Sequence, residues 1–263
     1  MGFKRRDFIK LSGLAMVGLK NNSSFAEIFR EIEMSDIKKL VELFEQKFVA
    51  HPWHGVTIGE DSPNIVKAYI EINPTDQIKY EIDKPSGHIF IDRPQKYSNI
   101  VPALYGFVPQ TYCDNLVADF CMEKSGRTGI VGDADPLDII VLSERNIDRG
   151  NILVDCIPVG GFRMIDGGEA DDKIIAVLKD DQAYGKITNI EDVPNMVLDR
   201  VKHFFLTYKS NPNNDGSDKK VEITDTYGHE EALEVIKLSN QDYLNKYGNV
   251  NQDFEAALAA LVK

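Results

Sequence analysis

Through the middle of the chain apolar and polar residues alternate every second position; towards its end they recur every third or fourth. In KAYIEINP, from Lys67, residues Ala68, Ile70 and Ile72 alternate with Lys67, Tyr69 and Glu71, the period of a half-buried strand. IKYEID repeats it with Ile78, Tyr80 and Ile82 against Lys79 and Glu81. The turn Lys84-Pro85-Ser86-Gly87 then predicts a hairpin into HIFIDRP. DIIVL, NILVDCIPVGGFRMID and KIIAVL are further strands, with a bend or bulge at Gly160-Gly161. Helical spacing appears at 35–48 behind a Ser35 cap, and again at 195–209, 229–247 and 251–262. The stretch from His51, HPWHGVTIGEDSPN, reads as a loop whose rings pack rather than bind metal. With no internal repeat and no linker, the simplest account is one mixed β-barrel domain with packed helices, over residues 27–263.

The first residues follow another rule. MGFKRRDFIKLSGLAMVGLKNNSSFAE has a basic start with Arg5-Arg6, then Phe8 and Lys10, a short apolar run and a small-x-small end at Ser24-Phe25-Ala26. This is the three-part layout of an export signal over residues 1–26, of twin-arginine type. The apolar run is too short to anchor the chain in a membrane. A periplasmic or secreted protein is expected, with a cytoplasmic one as the alternative.

Lys and Arg number 30 against 42 Asp and Glu, a net charge of −12. Such a chain repels nucleic acid and anionic membranes unless it recruits cations. Its acid is also unevenly placed. Asp133, Asp135 and Asp138 stand in front of the apolar run IIVL. If the segment is extended, Asp133 and Asp135 share a face. Three carboxylates that close together need a counter-cation, and all-oxygen ligands suit Mg²⁺. A solvated acidic turn would read the same way. A second cluster, Asp166, Glu169, Asp171 and Asp172 with Lys173, follows one strand and precedes another. Lys79 and Glu81 share a strand face, with Arg93 across the hairpin. Ammonium and guanidinium groups interleaved with carboxylates describe a site where metal ions meet a multiply charged oxyanion; surface ion pairs are the competing account.

Other motifs exclude more than they suggest. No Gly-x-x-x-x-Gly-Lys-[Ser/Thr] loop and no Gly-x-Gly-x-x-Gly after a strand occurs. The stretch from Asn211 to Glu222 nearly matches a calcium loop, but its first ligand is Asn and Asp218 stands where an apolar residue belongs, so a surface loop explains it better. Cys113, Cys121 and Cys156 carry no zinc spacing; Cys113 and Cys121 pair, or all three are free thiols.

Taken in order, Glu71, Lys79-Tyr80-Glu81-Ile82-Asp83, Arg93, Tyr105-Gly106, Asp133-x-Asp135-Pro136-x-Asp138, Asp166, Asp171-x-Lys173 and Tyr208-Lys209 resemble the soluble family I inorganic pyrophosphatases, from about residue 50 to about 245. His51-Pro52-Trp53-His54 and the extra segment between Thr111 and Gly132 are similar to the longer, eukaryote-like members. The resemblance implies a mixed α+β fold, a five-stranded OB-like β-barrel with flanking and C-terminal helices. It implies hydrolysis of inorganic diphosphate with several Mg²⁺ per site. Asp133, Asp138 and Asp171 would hold the tightest metals, Asp166 and Glu81 those arriving with substrate. Asp135 would be the general base. Lys79, Arg93, Lys173, Tyr208 and Lys209 would hold the phosphates, with Tyr105 and Glu71 lining the site. A homo-oligomer, a dimer, is expected. Gly167 replaces an acidic residue of the short members, and the family's tyrosine four residues before Tyr105 is here Val101, for which slower turnover is expected. The alternatives are a Mg²⁺-dependent hydrolase of another polyphosphate, or a non-catalytic metal- or phosphate-binding descendant.

Overall fold

The computed structural model describes Lys39 and residues 46–210 and 220–261. The export-signal segment, most of the helix expected at 35–48 and most of the calcium-loop-like stretch lie outside the described residues. Two compact units are distinguished, Ala50–Gly248 and a second made of Met1–Val49 with Asn249–Lys263. The second contributes the helix Val250–Leu261. Everything below concerns the first. Among the described residues no helix is long and apolar enough to cross a membrane.

The alternating segments form strands where expected, β1 Val66–Ile72 and the hairpin β2 Ile78–Ile82 and β3 Ile89–Pro94; the next strand, β4 Leu104–Phe107, was not expected. After helix α1, Asn115–Ser125, come β5 Val131–Gly132, β6 Asp138–Leu142, the long β7 Ile152–Asp166, β8 Glu169–Ala170 and β9 Lys173–Leu178. Helix α2, Asn195–Thr207, strand β10, Val221–Gly228, and helix α3, His229–Tyr247, complete the unit. Five strands pair in a ring, β1 with β4, β4 with β6, β6 with β9, β9 with β7, and β7 back to β1. The β6–β9 pair is parallel and the other four are antiparallel. Strand β10 extends the far end of β7.

One core gathers Ala68, Ile70, Ile139 and Ile174 against Val117 and Cys121 of α1 and Val235 and Ile236 of α3. A second gathers Ile140, Ile175, Phe162 and Met164 against Leu198, Val201 and Phe205 of α2. With apolar residues wanted on both faces, the middle strands lose the clean alternation of a half-buried strand. Two irregularities re-aim side chains. The β1–β4 register slips between Ile70 and Ile72, leaving Glu71 out of the pairing; the β7–β9 register slips between Pro158 and Gly160, at the bend expected there.

Helix α1 has no side-chain cap of its own. The carboxylate of Asp242 on α3 accepts from the N–H groups of Asp114, Leu116 and Val117 at 3.1–3.2 Å, filling the vacant donors of its first turn. All three cysteines are buried and free, which settles the pairing question left open by their spacing.

The rings after His51 do pack. Trp53 is buried and donates from Nε1 to the Thr111 carbonyl at 2.8 Å. His54 Nδ1 meets the Tyr243 hydroxyl at 2.8 Å. Burial, then the charge of His51, lowers the His54 pKa to about 4. His54 is therefore neutral in the folded protein at pH 6.5 and above, where its contribution to stability is complete. As pH falls from 6.5 to 4 the unfolded chain takes up a proton that the folded chain refuses, so that contribution is lost. With the ring only partly buried, the loss is about 1 kcal/mol. Urea unfolding of wild type is expected to weaken between pH 7 and 4 by this amount more than in His54→Gln; identical pH slopes would contradict it.

Candidate active site

The two acidic clusters meet because β6 and β9 are parallel neighbours that start at the same edge, with Asp138 opposite Lys173 in register. Each cluster runs from the connection before its strand into the strand's first residue, the second beginning with Asp166 at the end of β7, so both arrive at one end of the ring. There they open a cleft of about 220 Å³. Twelve of the thirteen residues singled out from the sequence line it: Glu71, Lys79, Glu81, Tyr105, Asp133, Asp135, Asp138, Asp166, Asp171, Lys173, Tyr208 and Lys209. Arg93 is the exception. It lies opposite Lys79 in the hairpin, but the register slips at the next pair, and Asp92 turns towards Lys79 at 3.2 Å while Arg93 pairs with Asp92.

The loop before β6 is not extended, contrary to the expectation from spacing. Ala134 has φ 62°, a left-handed conformation that costs a non-glycine residue ~1 kcal/mol. Asp133 Oδ1 accepts from the Asp135 N–H at 3.0 Å, a local bond that favours a turn over strand geometry. Two backbone bonds pin the turn to Cys113, from Cys113 N to the Asp135 carbonyl and from Ala134 N to the Cys113 carbonyl. The three aspartates therefore share the cleft through a strained turn, not through strand alternation.

Cations hold these anions in place. Lys173, 1% exposed, bonds both Asp138 and Asp171. Lys209, just beyond the end of α2, reaches Asp166. Lys79 bonds Glu81, and Lys84 pairs with Asp135 across the mouth. Tyr105 donates to Asp138 at 2.7 Å, and Glu71 accepts from the Ile82 N–H at 2.7 Å. Tyr208 is buried, stacked on Phe204 with ring centroids 5.0 Å apart. Lys84 and Glu169 also line the cleft without having been singled out. Glu169 was visible in the second acidic cluster; Lys84 sits in a turn, where a lysine is unremarkable. Val101 is fully buried in the core on the α2 side and does not line the cleft.

The crowding shows in the titration of these groups. Burial and then the neighbouring Asp171 push Asp133 up to about 9. Burial raises Asp171, and burial followed by the charge of Asp138 raises Glu71 well above the carboxylate range. Burial alone would lower Lys173, but Asp138 and Asp171 outweigh it and hold the ammonium well above its ordinary value. This set fits a hard divalent cation. The donors are all oxygen, the carboxylates are short of counter-charge, and the buried Asp166 Oδ1 has no hydrogen-bond partner. Among the described residues no three such side chains already converge on one point; lysines bridge them instead.

Comparison with known proteins gives a consistent result. A family profile described as "Inorganic pyrophosphatase" matches residues 68–244. A protein of Chlamydia caviae named "Inorganic pyrophosphatase" is 51% identical over 201 residues, covering 76% of this chain and 93% of that protein. "Soluble inorganic pyrophosphatase 2" of Chlamydomonas reinhardtii is 38% identical, covering 78% and 92%. The crystal structure of the inorganic pyrophosphatase from Thermus thermophilus superposes with a TM-score of 0.62 at 30% identity, over 74% of this chain and 99% of that one.

Removing one partner of a buried ion pair leaves the other charge dehydrated and uncompensated. Lys173→Met is therefore expected to destabilise the metal-free chain by about 3–5 kcal/mol in urea unfolding. A loss below ~1 kcal/mol, typical of an exposed pair, would contradict this account of Lys173.

Proposed function

The chain belongs to the inorganic pyrophosphatase family and hydrolyses inorganic diphosphate to two phosphates, and from that premise we propose how its side chains divide the work. Asp133, Asp138 and Asp171 hold the tighter divalent cations, and Asp166 and Glu81 complete sites that fill with substrate; the cation is Mg²⁺. When bound, Mg²⁺ supplies a water of lowered pKa and neutralises charge on the phosphoryl oxygens. Asp135, at the mouth of the cleft, takes the proton of the attacking water as the water oxygen bonds to one phosphorus and the bridging P–O bond breaks. Lys79, Lys173, Tyr208 and Lys209 bind the phosphate oxygens, and Arg93 joins them from the adjacent hairpin. Tyr105 holds Asp138 by its hydroxyl, and Glu71 ties β1 to β2 beneath the site.

The observation that carries this division of roles is that twelve residues scattered from position 71 to 209 line one cleft. The ring of five strands supports reading the fold as an OB-like barrel. Helix α1 fills the segment between Thr111 and Gly132, which supports the longer, eukaryote-like subtype. The Arg5-Arg6 segment supports export of the folded chain to the periplasm.

Purified chain with Mg²⁺-diphosphate is expected to release phosphate, to stop when the metal is chelated, and to lose roughly 10²–10⁴-fold in kcat as Asp135→Asn. An Asp135→Asn variant with unchanged kcat would remove Asp135 from the role of base.

A further inference from the structure

Behind Asp171 and Lys173 lies a group of charges that none of the roles above uses. Successive residues entering β9 point to opposite sides. Asp171 and Lys173 face the cleft, and Asp172 between them faces the α1 and α3 side. There it is 2% exposed and meets Arg163 of β7, which is fully buried. Arg163 Nη2 stands 2.8 Å from Glu231 on α3 and 3.5 Å from Asp172 Oδ2. The same Asp172 oxygen accepts from the Tyr227 hydroxyl at 3.0 Å. The guanidinium lies between the rings of Phe120 on α1 and Tyr227 on β10, 5.2 and 5.0 Å from their centroids. Gly161 makes room for this, since a Cβ there would overlap the Tyr227 ring.

A buried charge left with Nε and Nη1 unpaired is costly, and apolar residues would fill the space as well. Retaining it calls for something that the ionic contacts fix and apolar packing would not. Asp172 has one covalent neighbour proposed as a metal ligand and another that bridges two such ligands. One oxygen of its carboxylate, Oδ2, is held by both Arg163 and Tyr227, which restrains the backbone carrying Asp171 and Lys173. We propose that Arg163, Asp172 and Tyr227 are positioning residues, a clamp behind the strand that sets Asp171 and Lys173 for divalent-cation binding. Glu231 meets the same Nη2 of Arg163 as Asp172 does, joining α3 to the clamp. This inference rests on the assignment of Asp171 as a metal ligand.

The test is Mg²⁺ binding to the metal-free full-length chain by titration calorimetry, with urea unfolding in parallel. Tyr227→Phe removes only the hydroxyl, so the ring can stay over Gly161; Asp172→Asn removes the clamped charge. Both are expected to weaken Mg²⁺ binding by roughly 10-fold or more, in the range seen when groups supporting a metal ligand are removed. The half-activating Mg²⁺ concentration should rise in step, while kcat at saturating Mg²⁺ changes less. If Asp172→Asn does not fold, Tyr227→Phe alone carries the test. A shifted unfolding midpoint with wild-type Mg²⁺ affinity in both folded variants would make the clamp purely structural and overturn the proposal. Asp171→Asn separates the two levels of inference. If it binds Mg²⁺ like wild type, the ligand assignment fails; if it binds weakly while Tyr227→Phe and Asp172→Asn bind normally, only the clamp fails.

Discussion

One buried ammonium holds the active end of this molecule together. Lys173 is almost completely dehydrated, and it is shared by Asp138 and Asp171 at the start of two parallel strands. The lysine would be intolerable there without them, and the two half-buried aspartates lose their counter-charge without it. The parallel pairing of β6 and β9, with Asp138 opposite Lys173, makes the sharing possible. A slip of one residue would turn Lys173 into the core and bring Asp172 or Ile174 to the cleft.

The rest of the site extends the same arrangement. Lys79 covers Glu81, Lys209 covers Asp166 and Lys84 covers Asp135. Each lysine neutralises a carboxylate in the metal-free protein, and Lys79, Lys173 and Lys209 are the ones proposed above to meet an oxyanion. On the roles proposed above, divalent cations that took the carboxylates would free the lysines to face the phosphates. On that reading, charge crowding would favour metal binding, and the freed lysines would couple it to binding of the substrate. The turn at Ala134 fits this account, because backbone strain is tolerated where it presents Asp133 and Asp135 to a common point.

Much of this was legible in the sequence. Period-two alternation marked β1, β2 and β3, although in β1 the intervening Tyr69 and Glu71 are buried as well. Apolar runs marked β6, β7 and β9. Strand β4 escaped because its four residues are all buried and leave no alternation to read. Strand β10 escaped because Glu222, Thr224 and Thr226 stand among its apolar residues and it pairs only with the end of β7. Helix α1 carries no cap of its own, and Asp242, which supplies one, is far along the chain. In the site, the acidic clusters were visible as clusters. What could not be read was the turn at Ala134, set by backbone bonds to Cys113, or the register slip that turned Asp92 rather than Arg93 towards Lys79. Asp172 read as one more acid in a row; only its partners Arg163 and Tyr227, distant in sequence, distinguish it from Asp171.

Divalent cations and the anion are inferred to bind this site with positive coupling. The direct measurement is diphosphate binding to the Asp135→Asn protein, too slow to consume it, with Mg²⁺ present and with Mg²⁺ chelated. Coupled sites of this kind predict diphosphate binding tighter by roughly tenfold or more when Mg²⁺ is present. Equal affinity in the two conditions would mean that the lysines are free from the start, and would contradict the account.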